Sequence, residues 1–223
     1  MRVKYKFLSA PINFENNLIK VLVIENQIIY RNTIIQLYED NIDEWFILSK
    51  DYKPLEFSKN VKFIDNILSF SMNDKKLMSK INLDLEQFAN SNYLENLQRI
   101  KGELLELSLN LSAELDFNVE YSGNIETSSI IKLMSFRPRD DCEYPLERLT
   151  RYLVLLNNYL GISLFITNNL YFYFSDKDVN TLFETLSFHH IKLIDIEGMD
   201  SFNRSDLSEV LIVDKDLCEI VDK

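Results

Sequence analysis

Basic side chains that could bind phosphate groups are concentrated in three parts of the sequence. In the middle group, Lys75, Lys76 and Lys80 are one, four and five residues apart, so they would share one sector of a helix surface. Such patches suit the phosphates of a nucleic acid, but the same pattern is also typical of surface lysines that keep a protein soluble. The three groups are, in chain order, Lys50, Lys53, Lys59 and Lys62; Lys75, Lys76 and Lys80; and Lys132, Arg137 and Arg139.

An acidic turn follows the longest helical pattern and offers hard oxygen ligands. Its carboxylates are those of Asp116, Glu120 and Glu126, with Gly123 between the last two. Calcium takes six to eight oxygen ligands, including backbone carbonyls, so this turn is a candidate calcium site. The spacing is not that of an EF-hand, and helix capping or solvation is the alternative role.

Residues that would build a catalytic centre are scarce. None of the four glycines stands in a G-x-x-x-x-G-K-[ST] or G-x-G-x-x-G frame, which disfavours a nucleotide-hydrolysing site. The only histidines, His189 and His190, are adjacent, and we expect them in a turn rather than at a metal. Asp140 and Asp141 suit solvated faces or caps better than acid-base catalysis. The sequence therefore predicts a binding protein, not an enzyme.

The charge balance is unevenly distributed along the 223 residues. The net charge is −11, which alone disfavours a polyanionic partner. Basic and acidic residues nevertheless balance in residues 1–70, whereas the deficit is 4 in residues 71–160 and 7 in residues 161–223. A local basic surface built from the first two regions remains compatible with this composition.

Apolar runs at both ends of the chain predict an α/β domain. Residues 2–7 alternate as a half-exposed strand, and residues 18–25 read as a buried strand before a helix at 26–38. A further strand is predicted at 62–70 after a loop at 50–59. Strands at 162–167, 191–196 and 209–213 enclose a helix reaching Phe188, which indicates a mainly parallel sheet.

The middle of the chain has the period of helices. One apolar stripe begins near Asn73, and a second runs from Leu94 to Leu115 at spacings of three and four. A third helix, from residue 146, ends at Gly161. We therefore predict a split α/β head, residues 1–70 and 161–223, interrupted by an extended helical leg, residues 71–160.

The location expected from the sequence is the cytoplasm. The first residues lack the apolar stretch of a signal peptide, and no apolar run is long enough to span a bilayer. Cys142 and Cys218 are far apart and fit unpaired thiols in a reducing compartment.

The whole pattern resembles the short form of the type II-A CRISPR spacer-acquisition protein. The resemblance is carried by FLSAPINFENNLIKVLVIEN, FIDNILSFSMNDKKLMSKINLDLEQFAN, ELDFNVEY and SLFITNNLYFYFSDKDVNTLFETLSFHHIKLIDIE, which together extend over nearly the whole chain. It rests on apolar patterning rather than on a catalytic motif.

The resemblance implies a homotetrameric ring, with an α/β head and a helical leg in each subunit, that encircles linear double-stranded DNA without hydrolysing it. The head would be a nucleoside-triphosphatase-like layer that has lost its phosphate loop. Calcium would be held at the leg, with Asp116, Glu120 and Glu126 as the matching residues. A ring also reconciles the net charge with DNA binding, because lysines line the hole while the outside stays acidic. The candidates for that lining are Lys50, Lys53, Lys75, Lys76, Lys80, Lys132, Arg137 and Arg139.

The expected role is a non-catalytic one in acquiring new CRISPR spacers, through DNA ends bound without sequence specificity. The partners implied by the resemblance are linear duplex DNA, other copies of the chain, and the integrase complex and RNA-guided nuclease of the same system. The alternative is a protein-binding scaffold of the adaptation complex, in which metal is merely structural. A nucleotide-dependent enzyme would need a phosphate-binding loop that the sequence lacks.

Overall fold

The computed structural model describes residues 1–39, 45–51 and 53–220 of the chain. Within them the strands are β1 (Arg2–Tyr5), β2 (Ile12–Asn13), β3 (Ile19–Ile24), β4 (Phe46–Lys50), β5 (Lys53–Pro54), β6 (Val61–Phe63), β7 (Leu164–Asn168), β8 (Lys192–Glu197), β9 (Ser208–Val213) and β10 (Glu219–Ile220). The helices are α1 (Gln27–Tyr38), α2 (Phe57–Asn60), α3 (Lys75–Asn92), α4 (Leu94–Ala113), α5 (Thr127–Leu133), α6 (Pro145–Leu160), α7 (Leu170–Tyr173) and α8 (Asp176–Phe188). The α/β class predicted from the sequence is confirmed.

The chain folds as two compact units. One, the α/β unit, comprises residues 1–71 and 140–223, and the other, the helical unit, comprises residues 72–139. The first boundary lies beside the one expected at residue 70. The second differs from the expected boundary at 160, because α6 packs on α8 within the α/β unit. Its apolar side chains Leu149, Leu153 and Leu156 are buried there.

A six-stranded sheet forms the centre of the α/β unit. Its order is β10-β9-β3-β8-β7-β6, and every neighbouring pair is parallel except β10 with β9. Strand β3, of sequence IKVLVI, is buried at all six positions, as expected for a central parallel strand covered on both faces. The predicted mainly parallel sheet therefore has β3 and β8 in its middle.

A second, antiparallel sheet was not foreseen from the sequence. Its order is β2-β1-β4-β5. The predicted alternation of the first strand is correct, since Val3 and Tyr5 are fully buried while Arg2 is exposed. Val3 and Tyr5 pack in one apolar core with Leu22 and Ile24 of β3, so the two sheets face each other.

Two short segments differ from their predicted structure. The expected loop at 50–59 contains β5 and most of the short helix α2. The expected strand at 62–70 is only three residues long as β6, because the Asn66 side chain accepts hydrogen bonds from the backbone N–H groups of Leu68 and Ser69. This local turn removes those N–H groups from a strand ladder.

The helical unit consists of α3, α4 and α5. The Asp74 carboxylate caps α3 by accepting the backbone N–H groups of Lys76 and Leu77 at 2.8 and 3.1 Å. Helix α5 packs against α3, and the Thr127 hydroxyl links α3 and α4 by donating to Asn90 and accepting from Lys101. The predicted apolar stripe of α4 is largely unburied, with Leu97 as the only buried residue of that helix.

Candidate nucleic-acid interface

Two of the predicted basic residues lie opposite each other on a β-hairpin of the α/β unit. Lys50 ends β4 and Lys53 begins β5, and the two are direct partners in the antiparallel register. Both side chains are exposed. Directly opposite residues in antiparallel strands lie on the same face, so the hairpin presents two positive charges together.

A third lysine, which sequence reasoning did not select, joins this pair. Lys192 is the first residue of β8 and lies opposite Leu164 of β7, on the face of the sheet that packs against the antiparallel sheet. Partial burial and, secondly, the positive charge of Lys50 lower the pKa of the Lys192 ammonium. We refer to Lys50, Lys53 and Lys192 as the head lysine cluster. The hairpin pairs Lys50 with Lys53, and Lys192 comes from the other sheet, so spacing along the chain does not signal the cluster.

Two further lysines of the first basic group do not extend this cluster. Lys59 is paired with Glu56, with 2.6 Å between Nζ and Oε2. Lys62 is opposite Phe165 in the parallel register and so lies on the face of the sheet away from Lys192.

The lysines of the second group start helix α3 of the helical unit. Lys75 and Lys76 are its first two residues, both are exposed, and the first turn contains no acidic side chain. Positive charge at this end is unfavourable for the helix, because the backbone N–H groups already make it positive. The Asp74 carboxylate, which caps the helix, offsets part of that repulsion, and a bound phosphate would offset more of it. Lys80 contacts Asp84 at 3.1 Å, but both side chains are more than 40% exposed, so the pair contributes little stability.

The third basic group belongs to the same helical unit. Lys132 lies in the last turn of α5, which packs against α3. Arg137 and Arg139 follow in the irregular segment after that helix, and all three side chains are exposed. The structure therefore divides the predicted interface between two units, with Lys50 and Lys53 on one and the remaining six residues on the other.

The predicted calcium ligands lie in the irregular segment between α4 and α5. Asp116, Glu120 and Glu126 are all exposed, and Glu126 is the residue before α5, where its carboxylate accepts a hydrogen bond from the Ser128 hydroxyl. Within the described ranges, no three His, Cys, Asp or Glu side chains are grouped in a way that could hold a metal ion.

The start of α1 lies where a phosphate-binding loop would be found in a nucleotide-binding sheet. Strand β3 ends at Ile24 and α1 begins at Gln27, so only two residues connect them. The side-chain oxygen of Asn26 accepts hydrogen bonds from the backbone N–H groups of Ile28 and Ile29 at 3.1 and 3.2 Å. The first turn of α1 is therefore capped by the chain itself instead of offering these N–H groups to a phosphate.

A pair of buried carboxyl groups lies at the carboxyl end of β8. Asp195 is completely buried and accepts a hydrogen bond from the Thr167 hydroxyl at 2.8 Å, while Glu197 accepts the backbone N–H of Tyr171 at the same distance. Burial, and next the negative charge of Glu197, hold the pKa of Asp195 well above its usual value; burial likewise raises the pKa of Glu197. Sequence reasoning did not select this pair.

Exposed apolar side chains are concentrated on the helical unit. Leu107 and Leu111 of α4 and Leu115 just beyond it are 46 to 60% exposed, and Phe117 is 67% exposed. Exposed apolar patches on a single chain mark surfaces that associate with another molecule. In the part of the chain that the structure describes, no helix combines the length and apolar character needed to cross a membrane.

These features define a two-unit α/β protein with groups of exposed lysines on both units and exposed apolar side chains on the helical unit. Residues 36–217 match the family described as CRISPR-associated protein (Cas_Csn2). The match extends over most of the chain, and the protein therefore belongs to the Csn2 family of CRISPR-associated proteins. A comparison with curated protein sequences found no match. The family resemblance recognised in the sequence is confirmed.

Proposed function

We propose that this protein is a non-catalytic component of CRISPR adaptation that binds the ends of linear double-stranded DNA without sequence specificity. The observation that carries the proposal is the grouping of exposed lysines at two places, the hairpin of Lys50 and Lys53 and the first turn of α3. Contacts of this kind reach phosphates and not base edges, so every sequence is bound alike and affinity falls as salt rises.

The proposed active form is a homotetrameric ring around the DNA. The exposed apolar side chains of the helical unit support self-association, because a stable interface needs a buried apolar centre. A closed ring places basic residues in the hole and leaves the acidic surface outside, which reconciles DNA binding with a net charge of −11. Threading from an end then becomes the only route onto the duplex.

In this proposal the α/β unit is a nucleoside-triphosphatase-like layer that has lost its phosphate loop and hydrolyses no nucleotide. The two-residue connection from β3 to α1 and the Asn26 cap support that interpretation. The proposed partners during spacer acquisition are the integrase complex and the RNA-guided nuclease of the same CRISPR system. Calcium binding at Asp116, Glu120 and Glu126 is also proposed, but we assign no step of DNA binding to the ion.

A protein-binding scaffold is the second candidate function. The apolar surface of the helical unit supports it as directly as it supports a ring of identical chains. In a pure scaffold the lysines would have no role in complex formation, which separates the two candidates experimentally.

Charge reversal of the head lysine cluster tests the DNA-binding proposal. We expect Lys50→Glu combined with Lys192→Glu to weaken binding of a linear duplex about tenfold or more. The slope of log affinity against log salt concentration should become shallower by roughly two, about one for each phosphate contact that is lost. Lys177→Glu, at an exposed position of α8 in the same unit, is the matched control and should change binding little. Unchanged affinity in the double variant would favour the scaffold.

A further inference from the structure

The α/β unit contains a cavity of about 590 Å³ that the proposed function does not use. It lies between residues 8–13, which end in the short strand β2, the start of β9 at residues 208–211 and the edge strand β10. Pockets that bind small molecules typically have volumes of roughly 300 to 1,000 Å³. The cavity is therefore large enough for a metabolite-sized ligand.

A buried lysine forms part of the cavity wall. Lys20 is the second residue of β3, and its side chain is only 2% exposed. Its ammonium group pairs with the Glu209 carboxylate and lies 5.9 Å from the centre of the Phe14 ring. An ammonium has three N–H donors, so this group retains donor capacity towards the cavity beyond the bond to Glu209.

Lys20 is the only charged residue of β3, and its direct partner in the register of β9 is Glu209. On the same face of the sheet its neighbours are Leu22 of β3 and Ile194 of β8, which are aliphatic and fully buried. Replacing a buried ion pair by packed apolar side chains is often neutral or stabilising. The ion pair at the cavity wall is therefore the feature that an anionic ligand would use.

The partner of Lys20 is placed so that it can be exchanged. The Glu209 side chain is 53% exposed, in contrast to the lysine, so its carboxylate is readily solvated when it leaves. Arg204 supplies a second positive charge to the wall, where it is held by Asp200 at 2.9 Å. The other carboxylate of the wall, that of Glu219, accepts hydrogen bonds from the backbone N–H and the hydroxyl of Ser9. Leu8 and Ile12 provide apolar wall surface.

We propose that this cavity binds a small organic acid with a short aliphatic body. The carboxylate of the ligand replaces Glu209 at the Lys20 ammonium, and its carbon chain lies against the wall formed by Leu8 and Ile12. A charged head and an apolar body are the complement of one buried cation beside aliphatic side chains. This site is separate from the head lysine cluster and does not depend on DNA binding.

Hexanoate is a suitable probe, with hexanol as the uncharged molecule of the same length. We expect ligand-detected NMR to show hexanoate binding to the full chain more tightly than hexanol. Lys20→Met keeps the side-chain length without the charge and should weaken hexanoate binding roughly tenfold or more. Glu209→Gln removes the competing carboxylate and should strengthen it several-fold.

Two further variants keep the result interpretable. Lys20→Arg retains the positive charge and should bind hexanoate better than Lys20→Met. Lys192→Met removes a lysine from the same face of the neighbouring strand, outside the cavity wall, and should bind as the unaltered chain does. Thermal melting of each variant checks that the fold is retained.

The proposal would be overturned by a folded Lys20→Met variant that binds hexanoate as well as the unaltered chain. Equal loss in Lys192→Met would overturn it too, because the binding would then reflect general positive charge. Absence of hexanoate binding even in Glu209→Gln would show that the cavity does not take organic acids.

Discussion

Lys50 and Lys192 come from different sheets, yet the pKa of the Lys192 ammonium is lowered by partial burial and, next, by the positive charge of Lys50. Like charges are brought together at a cost in free energy that bound phosphate would offset. Lys53, opposite Lys50 in the hairpin, adds a third charge to the same unit. The head lysine cluster is therefore a product of the fold, and it anchors the DNA-binding proposal.

The first turn of α3 gives a prediction in which stability and DNA binding change in opposite directions. Lys75→Glu with Lys76→Glu places negative charge at the positive end of the helix, beside the Asp74 carboxylate that already caps it. Because this carboxylate repels the added charges, we expect the stability of the chain to rise by no more than about 0.3 to 1 kcal/mol in total. The same variant should bind linear DNA at least several-fold more weakly. Thermal melting and a gel-shift titration measure the two effects.

The informative control for this pair is a substitution that removes the positive charges without adding negative ones. Lys75→Gln with Lys76→Gln should lie between the unaltered chain and the glutamate variant in both measurements. Retention of full DNA affinity in a glutamate variant that melts higher would remove α3 from the interface.

The apolar surface of the helical unit predicts a change in particle size. Leu107→Ser with Leu111→Ser alters side chains that are 52 and 60% exposed, so the fold of one chain should be retained. If these residues form a subunit interface, light scattering should show a smaller particle. Ile28→Ser, at a 61% exposed position of α1 in the other unit, is the matched control. Particles of unchanged size in the double variant would place the interface elsewhere.

Calcium binding can be tested at the three predicted ligands. We expect isothermal titration calorimetry to detect calcium binding to the assembled protein, and Asp116→Asn, Glu120→Gln and Glu126→Gln together to abolish it. The amides keep the shape of the side chains but lose the charge that a hard cation requires. Identical titrations for the two proteins would refute the assignment of these carboxylates.

The buried pair of Asp195 and Glu197 predicts a dependence of stability on pH. A carboxyl group whose pKa is raised in the folded state holds its proton more tightly there than in the unfolded chain. Its contribution is therefore fully present below the unfolded value, about 3.9 for Asp, and is lost as pH rises through the folded value. Unfolding in denaturant across the acidic and neutral range should show this loss of stability.

Asp195→Asn removes the ionisable group at this position while leaving an oxygen to accept the Thr167 hydroxyl. We expect this variant to lose stability less steeply with rising pH than the unaltered chain does. Parallel stability curves for the two proteins would show that Asp195 does not govern the slope.

Much of the fold follows from the sequence because its longer elements have strong apolar periods. Strands β3, β7, β8 and β9 and helices α3, α4 and α8 all lie where the patterns predicted them. The antiparallel sheet was missed because β2 and β5 are only two residues long, too short for a period to be recognised. The helical unit ends at Arg139 and not at the predicted residue 160. The heptad-like spacing of α6 does not specify which unit its apolar face packs against.

The candidate site was less predictable than the fold. Lys50 and Lys53 were selected from local composition, which does not show that they are direct partners in a hairpin. Lys192 and Lys20 could not be found this way, because each is an isolated lysine within an apolar strand pattern. Their significance depends on strand register and on the packing of one sheet against another, which composition does not encode.

The most direct test of the central claim compares linear and closed circular duplexes of one sequence in a binding titration at two salt concentrations. Light scattering of the free protein accompanies it. Our account predicts a tetramer that binds the linear duplex in a salt-sensitive manner and fails to bind the closed circle. Equal affinity for the two topologies would contradict it.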